Sequence, residues 1–196
     1  MAKQVEFYFD VGSPAAYLAW TQLPGLCAQR GAELVYKPML LGGVFKATGN
    51  ASPAVIPAKG RYVEKDYERH ASRYGVPLTI NPHFPIITLH LMRAVTGVQM
   101  RHPERLDGLL KAVFEAMWVD GLNLNESEVT VATLAKAGFG ASEIEALAND
   151  PQVKEVLKQN TEEAVRRGVF GAPTMFVNGE MFFGQDRLEF VREALG

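Results

Sequence analysis

The chain has 196 residues, 47% of them hydrophobic, and a formal net charge of -2. That length buries a sizeable core, in one domain or in one domain carrying a large insertion. The slightly acidic balance, without a basic tract, argues against nucleic acid or an anionic membrane surface as the main partner. No apolar run reaches membrane-spanning length, and the chain begins with a strand-like run rather than an apolar leader, so a cytoplasmic protein is expected. Cys27 is the sole cysteine and has no internal disulfide partner.

Val5 to Asp10 is rich in β-branched and aromatic residues and reads as a strand. Gly12-Ser13-Pro14 follows. Serine is a good N-cap and proline is tolerated at the first helical position, so a helix starts there. Its expected end is Arg30, with Gly31 as C-cap. Pro24 is expected to kink or split it. Glu33 to Pro38 reads as a second strand.

From about Leu40 to Gly168 the signals are mostly helical. Helices are expected over Gly60–Tyr74, Ile86–Thr96, Pro103–Val119, Ser127–Ala137, Ala141–Ala148 and Pro151–Arg167. Pro57, Pro77, Pro82 and Pro85 mark loops between the earlier ones. Asn125-Glu126-Ser127-Glu128 resembles a capping box. Strands return at Thr174–Val177 and Glu180–Phe183, around an Asn178-Gly179 hairpin turn. Asp186 is placed to cap a last helix, Arg187–Leu195.

The order is therefore βαβ, a helical block, then ββα. The first and last segments make a complete sheet only together. The expected fold class is α/β, with residues 1–39 and 169–196 forming one unit and residues 40–168 an all-helical insertion.

Four stretches carry a family resemblance in the right order. Phe7-Tyr8-Phe9-Asp10-x-x-Ser13-Pro14-x-x-Tyr17-Leu18 is similar to the start of 2-hydroxychromene-2-carboxylate isomerases. These belong with kappa-class glutathione transferases in the DsbA-like thioredoxin superfamily. Leu40-Leu41-Gly42-Gly43-Val44-Phe45-Lys46-Ala47-Thr48-Gly49-Asn50 resembles the kappa-type central segment. Val169-Phe170-Gly171-Ala172-Pro173-Thr174 and Phe182-Phe183-Gly184-Gln185-Asp186-Arg187-Leu188 resemble the C-terminal signature. The resemblance implies a thioredoxin-like fold with a helical insertion, glutathione as cofactor, a small aromatic-derived or electrophilic substrate, and a homodimer. Redox members carry Cys-x-x-Cys where this chain has Ser13-Pro14-Ala15-Ala16, so the dithiol is gone.

By position, the resemblance makes Ser13 the contact to the glutathione sulfur, with Pro14 beside it, and Asn50 a further glutathione contact. Ala172, before a cis-Pro173, would pair with the cysteinyl part. Phe183, Gly184, Gln185 and Asp186 would hold the γ-glutamyl end, with Arg187 supporting Asp186. Lys46, Lys59 and Arg61 are the candidate cations for a substrate carboxylate. Phe84 stands where the isomerases carry a substrate tyrosine, and Val55-Ile56 where they carry an Asn-Arg pair.

A thiol of pKa near 8.5 is only about a few per cent thiolate at neutral pH. A helix N-terminus contributes about 0.3–1 kcal/mol to the anion. A hydroxyl hydrogen bond to charged sulfur contributes about 1.5–3 kcal/mol. The Ser13 hydroxyl therefore outweighs the dipole, and Ser13 is the expected catalytic residue, as a donor rather than a nucleophile.

The resemblance implies reversible thiolate addition converting 2-hydroxychromene-2-carboxylate to trans-o-hydroxybenzylidenepyruvate in aromatic catabolism. The alternatives are a kappa-class transferase or peroxidase acting on another electrophile, and a redox-inactive thioredoxin-like module that binds thiols or peptides without turnover. Taken singly, Ser13-Pro14 is a helix cap, Asn50 a turn residue and Gly184–Arg187 a helix start; the sequence alone leaves those readings open. His70, His83, His90 and His102 lack metal-ligand spacing, so no metal is expected. Phe114, Met117 and Trp118 are expected in a core or interface, and Cys27 as a small buried hydrophobe.

Overall fold

A computed structural model describes residues 3–196. Strand β1 (Gln4–Phe9) leads into helix α1 (Pro14–Arg30) and strand β2 (Glu33–Pro38). Eight helices and two strands follow among the described residues: α2 (Leu41–Thr48), α3 (Pro57–Tyr74), α4 (Leu89–Arg101), α5 (Leu106–Trp118), α6 (Ser127–Lys136), α7 (Ala141–Asn149), α8 (Pro151–Arg166), β3 (Thr174–Val177), β4 (Glu180–Phe183) and α9 (Leu188–Ala194).

The sheet order is β2-β1-β3-β4, with β1 parallel to β2 and antiparallel to β3. The two ends of the sequence thus share one sheet. β1 is central and covered on both faces, as its near-continuous apolar run requires. Val5, Phe7 and Phe9 enter the larger core cluster, while Tyr8 joins Met39, Val44, Ala164, Val169 and Phe176 in a second one. Phe7 and Phe9 stack at 5.0 Å, and Phe9 meets Phe114 of α5 at 6.2 Å. Trp118 Nε1 donates to the Val11 carbonyl at 2.8 Å. The sheet and the helical block are joined by this shared core, which also takes Met117 and Cys27.

Gly31 closes α1 at φ 60°. Asn178 (φ 53°) and Gly179 (φ 85°) both turn left-handed, the backbone a type I′ hairpin demands. Four expectations are corrected. Pro24 does not split α1; Leu18, Leu23, Leu26 and Cys27, on either side of it, are all buried and hold one helix together. Helix α3 begins at Pro57, three residues before Gly60, because proline suits the first helical turn. The Asn125–Glu128 box does not form: α6 has no side-chain cap, and Asn125 Oδ1 instead accepts from Ile87 N at 2.9 Å. Asp186 does not cap α9; it sits inside a 3-10 turn, Gln185–Arg187, and pairs with Arg187. Helix α2 was not anticipated, since two glycines near its start mask its helical pattern.

Candidate glutathione site

The site is assembled where β1 stops. Ser13 is the N-cap of α1 at φ -102°, ψ 116°, and its Oγ accepts from Ala16 N at 3.1 Å. The same oxygen donates to the Ala172 carbonyl at 3.1 Å. Pro14 follows at the first helical position. The Ala172–Pro173 peptide is cis. Pro173 is buried behind Ala172, and its carbonyl accepts from Gly184 N at 3.0 Å. Thr174 Oγ1 closes the loop on Gly171 O at 2.9 Å. Helix start, proline loop and the end of β4 are therefore one hydrogen-bonded unit.

Asp10 lies beneath it, 1% exposed. Its Oδ1 accepts from Gly12 N at 2.9 Å, and its Oδ2 from Leu41 N at 2.9 Å and Thr88 Oγ1 at 3.1 Å. Burial pushes its carboxyl above the ordinary carboxylate range, and these donors partly offset the shift. Asp10 thereby fastens the Ser13 turn, the start of α2 and the loop before α4.

Above this unit opens a cavity of about 510 Å³. Ser13, Pro14, Asn50, Ala172, Phe183, Gly184, Gln185, Asp186 and Arg187 line it. The structure therefore brings together most of the residues singled out for glutathione. Asn50 is fixed by the protein itself: Nδ2 donates to Phe170 O at 2.8 Å and Oδ1 accepts from Ala51 N at 2.8 Å. Phe183 packs on Phe170 at 4.5 Å. Its ring also lies 2.7 Å from where a Cβ on Gly171 would stand, so a larger residue there would have to displace the ring. Tyr74 donates to Gln185 O at 2.5 Å and anchors the 3-10 turn. Asp186 and Arg187 form an exposed ion pair.

Phe84 lines the cavity at 40% exposure, with its ring 6.3 Å from Trp118. Lys46, Lys59 and Arg61 are exposed and lie outside the lining. The three cations named for a substrate carboxylate are thus not gathered with the rest. Sequence reasoning missed Phe45, Val63, Glu64, Tyr67 and Ile80 on the wall; Trp118 lies in the core as expected and also borders the cavity. The α3 members fall at helical spacing with Gly60, a signal that the charged residues between them obscure. A larger, more open groove of about 840 Å³ lies between α2, α4 and α8 and includes none of the predicted residues.

The cavity fits glutathione on its own features. Ala172 offers a main-chain acceptor, and its N–H has no partner among the described residues. The first N–H groups of the Gln185 turn have no partner within that turn. Asp186 offers a carboxylate for an ammonium group, and Ser13 a hydroxyl at a helix N-terminus.

A family profile described as a DSBA-like thioredoxin domain matches residues 4–196. The chain belongs to that family. Within it, the chain is 30% identical over 208 residues to human glutathione S-transferase kappa 1, covering 100% of this chain and 92% of that protein. It is also 30% identical over 198 residues to the 2-hydroxychromene-2-carboxylate isomerase of Sphingobium xenophagum, covering 100% and 99%. A solved 2-hydroxychromene-2-carboxylate isomerase superposes with a TM-score of 0.86 at 29% identity, over 98% of this chain and 94% of that one. The DsbA-like fold here is a thioredoxin sheet with a helical insertion. Both groups of relatives match along the full length, so the match spans both the sheet and the helical part. Among the described residues no helix is long and apolar enough to cross a membrane.

Proposed function

We propose that this chain is a glutathione-dependent enzyme that acts on a small electrophile. One observation carries the reading: a single cavity holds the Ser13 hydroxyl, the Ala172 main-chain edge and Asp186 together. Bound glutathione would supply a thiolate that adds to a conjugated electrophile. The chain's own residues have three tasks. Ser13, at the α1 N-terminus, turns its proton from Ala172 O to the sulfur and holds the negative charge. Ala172, freed of that bond, accepts from the cysteinyl N–H and donates its own N–H in return. Asp186 holds the γ-glutamyl ammonium, with Arg187 fixing the carboxylate.

Two reactions use that arrangement. Isomerisation of 2-hydroxychromene-2-carboxylate is supported by the full-length relatives and by the structural neighbour. Kappa-type transfer to another electrophile is supported by the human relative and by the lining, which omits Lys46, Lys59 and Arg61. On geometry the second is favoured, because a buried or half-buried substrate carboxylate needs a cation. The protein is read as a homodimer on the resemblance alone.

The experiment is to mix the protein with 2-hydroxychromene-2-carboxylate and substoichiometric glutathione and follow the ultraviolet spectrum. Conversion with glutathione conserved identifies the isomerase. Absence of conversion, together with glutathione consumed by an uncharged enone, identifies the transferase. Neither reaction, in a protein that still binds thiols, supports the binding module.

A further inference from the structure

The charges on the cavity wall are unevenly placed. Helix α3 turns Gly60, Val63, Glu64 and Tyr67 toward the cavity, at the i, i+3, i+4, i+7 spacing of one helix face. Lys59 and Arg61 flank Gly60 and fall outside that wall. The lining also takes apolar and aromatic residues from elsewhere in the fold: Phe45, Ile80, Phe84 and Trp118. Among the lining residues the carboxylates are Glu64, Asp66 and Asp186, and Arg187 is the one arginine or lysine among the described residues there. Arg187 is already held by Asp186. Asp66 pairs with Arg69, and Lys65 pairs with Glu68, so Glu64 keeps no ion-pair partner among the described residues.

We propose that Glu64, on a wall otherwise apolar and aromatic, is a specificity residue that discriminates against electrophiles carrying a carboxylate. This rests on the reading that glutathione occupies the Ser13 side of the same cavity. Discrimination of this kind works by repulsion and by leaving an anion unpaired, rather than by a new attractive contact. Glu64 is exposed, so its own share is modest, about two- to fivefold in affinity. The missing cation acts on every carboxylate ligand and adds to it.

The test uses an unreactive, near-isosteric pair, 3-phenylpropanamide and 3-phenylpropanoate. Their binding to the full-length protein saturated with S-methylglutathione is measured by calorimetry. The amide is expected to bind about tenfold tighter, since one unpaired charge in a half-buried wall costs at least that factor. Glu64→Gln should narrow the ratio by about two- to fivefold, and Glu64→Lys should narrow it further. Equal or tighter binding of the propanoate by the wild type overturns the inference, as does an unchanged ratio in both variants. Binding of neither ligand while S-methylglutathione binds overturns the inference and leaves the glutathione reading standing. The reverse result, amide preference without S-methylglutathione binding, supports the discrimination and removes glutathione.

Discussion

Ser13 Oγ donates to the carbonyl of Ala172, 159 positions away in the chain, across 3.1 Å. The hydroxyl has one proton, and in the free protein it is spent on that carbonyl. The sulfur-holding role therefore requires an exchange, in which an N–H from the ligand takes over Ala172 O. The same oxygen also caps α1 through Ala16 N, so in the proposed reaction one side chain would serve stability and chemistry together.

Ser13→Ala removes both bonds. Loss of the cap costs about 0.5–2 kcal/mol. For a chain of this size that is a fall in melting temperature of about 2–4 °C per kcal/mol. A calorimetric scan checks it. The variant stays folded, which makes its loss of activity interpretable.

Asp10→Asn reports on the anchor beneath the site. The native carboxyl titrates above its unfolded value because burial dominates. Between the ordinary carboxylate pKa, about 4, and that raised value, the native state holds more protons than the unfolded one. Wild-type stability therefore falls as pH rises through that window, and the variant lacks this slope. The variant is less stable throughout, since an amide cannot accept all of the bonds from Gly12, Leu41 and Thr88. Its deficit relative to wild type shrinks as pH rises from about 4. Urea midpoints across a pH series give the sign directly.

Asp186→Asn should raise the KM for glutathione about tenfold or more, the loss of one charge-assisted hydrogen bond. Folding should shift by less than about 1 kcal/mol, because the Arg187 pair is exposed. Steady-state kinetics with a denaturation curve separates the two effects.

Lys46→Ala, Lys59→Ala and Arg61→Ala should each leave kcat/KM within about twofold, as expected of surface changes away from the site. Their side chains are exposed and outside the cavity wall. A tenfold loss in any of them would place a cation in the substrate path.

Much of this was legible in the sequence because local chemistry and global fold agree. Ser13-Pro14 is at once a helix start and part of the cavity lining, and Asn178-Gly179 admits little but a hairpin. The residues expected to hold glutathione came from the family resemblance, which short contiguous motifs carry. The opposite wall was not legible, because it is built from α2, α3, α5 and the loop around Ile80 and Phe84, brought together only by packing. Asp10 was in view as part of the first motif. Its role emerges only when Leu41 and Thr88 are seen to converge on it. At Asn125 a tertiary partner, Ile87 N, outcompeted the local cap, whereas Asp186 pairs with its chain neighbour Arg187 inside the 3-10 turn.

The measurement that bears most directly on the central claim is the titration of glutathione bound to wild type and to Ser13→Ala, followed by ultraviolet thiolate absorbance. The account predicts that the wild type lowers the pKa of the bound thiol by about one to two units, and that the variant returns it most of the way to the free value. Equal thiol pKa values in the two proteins, with glutathione bound to both, would contradict it.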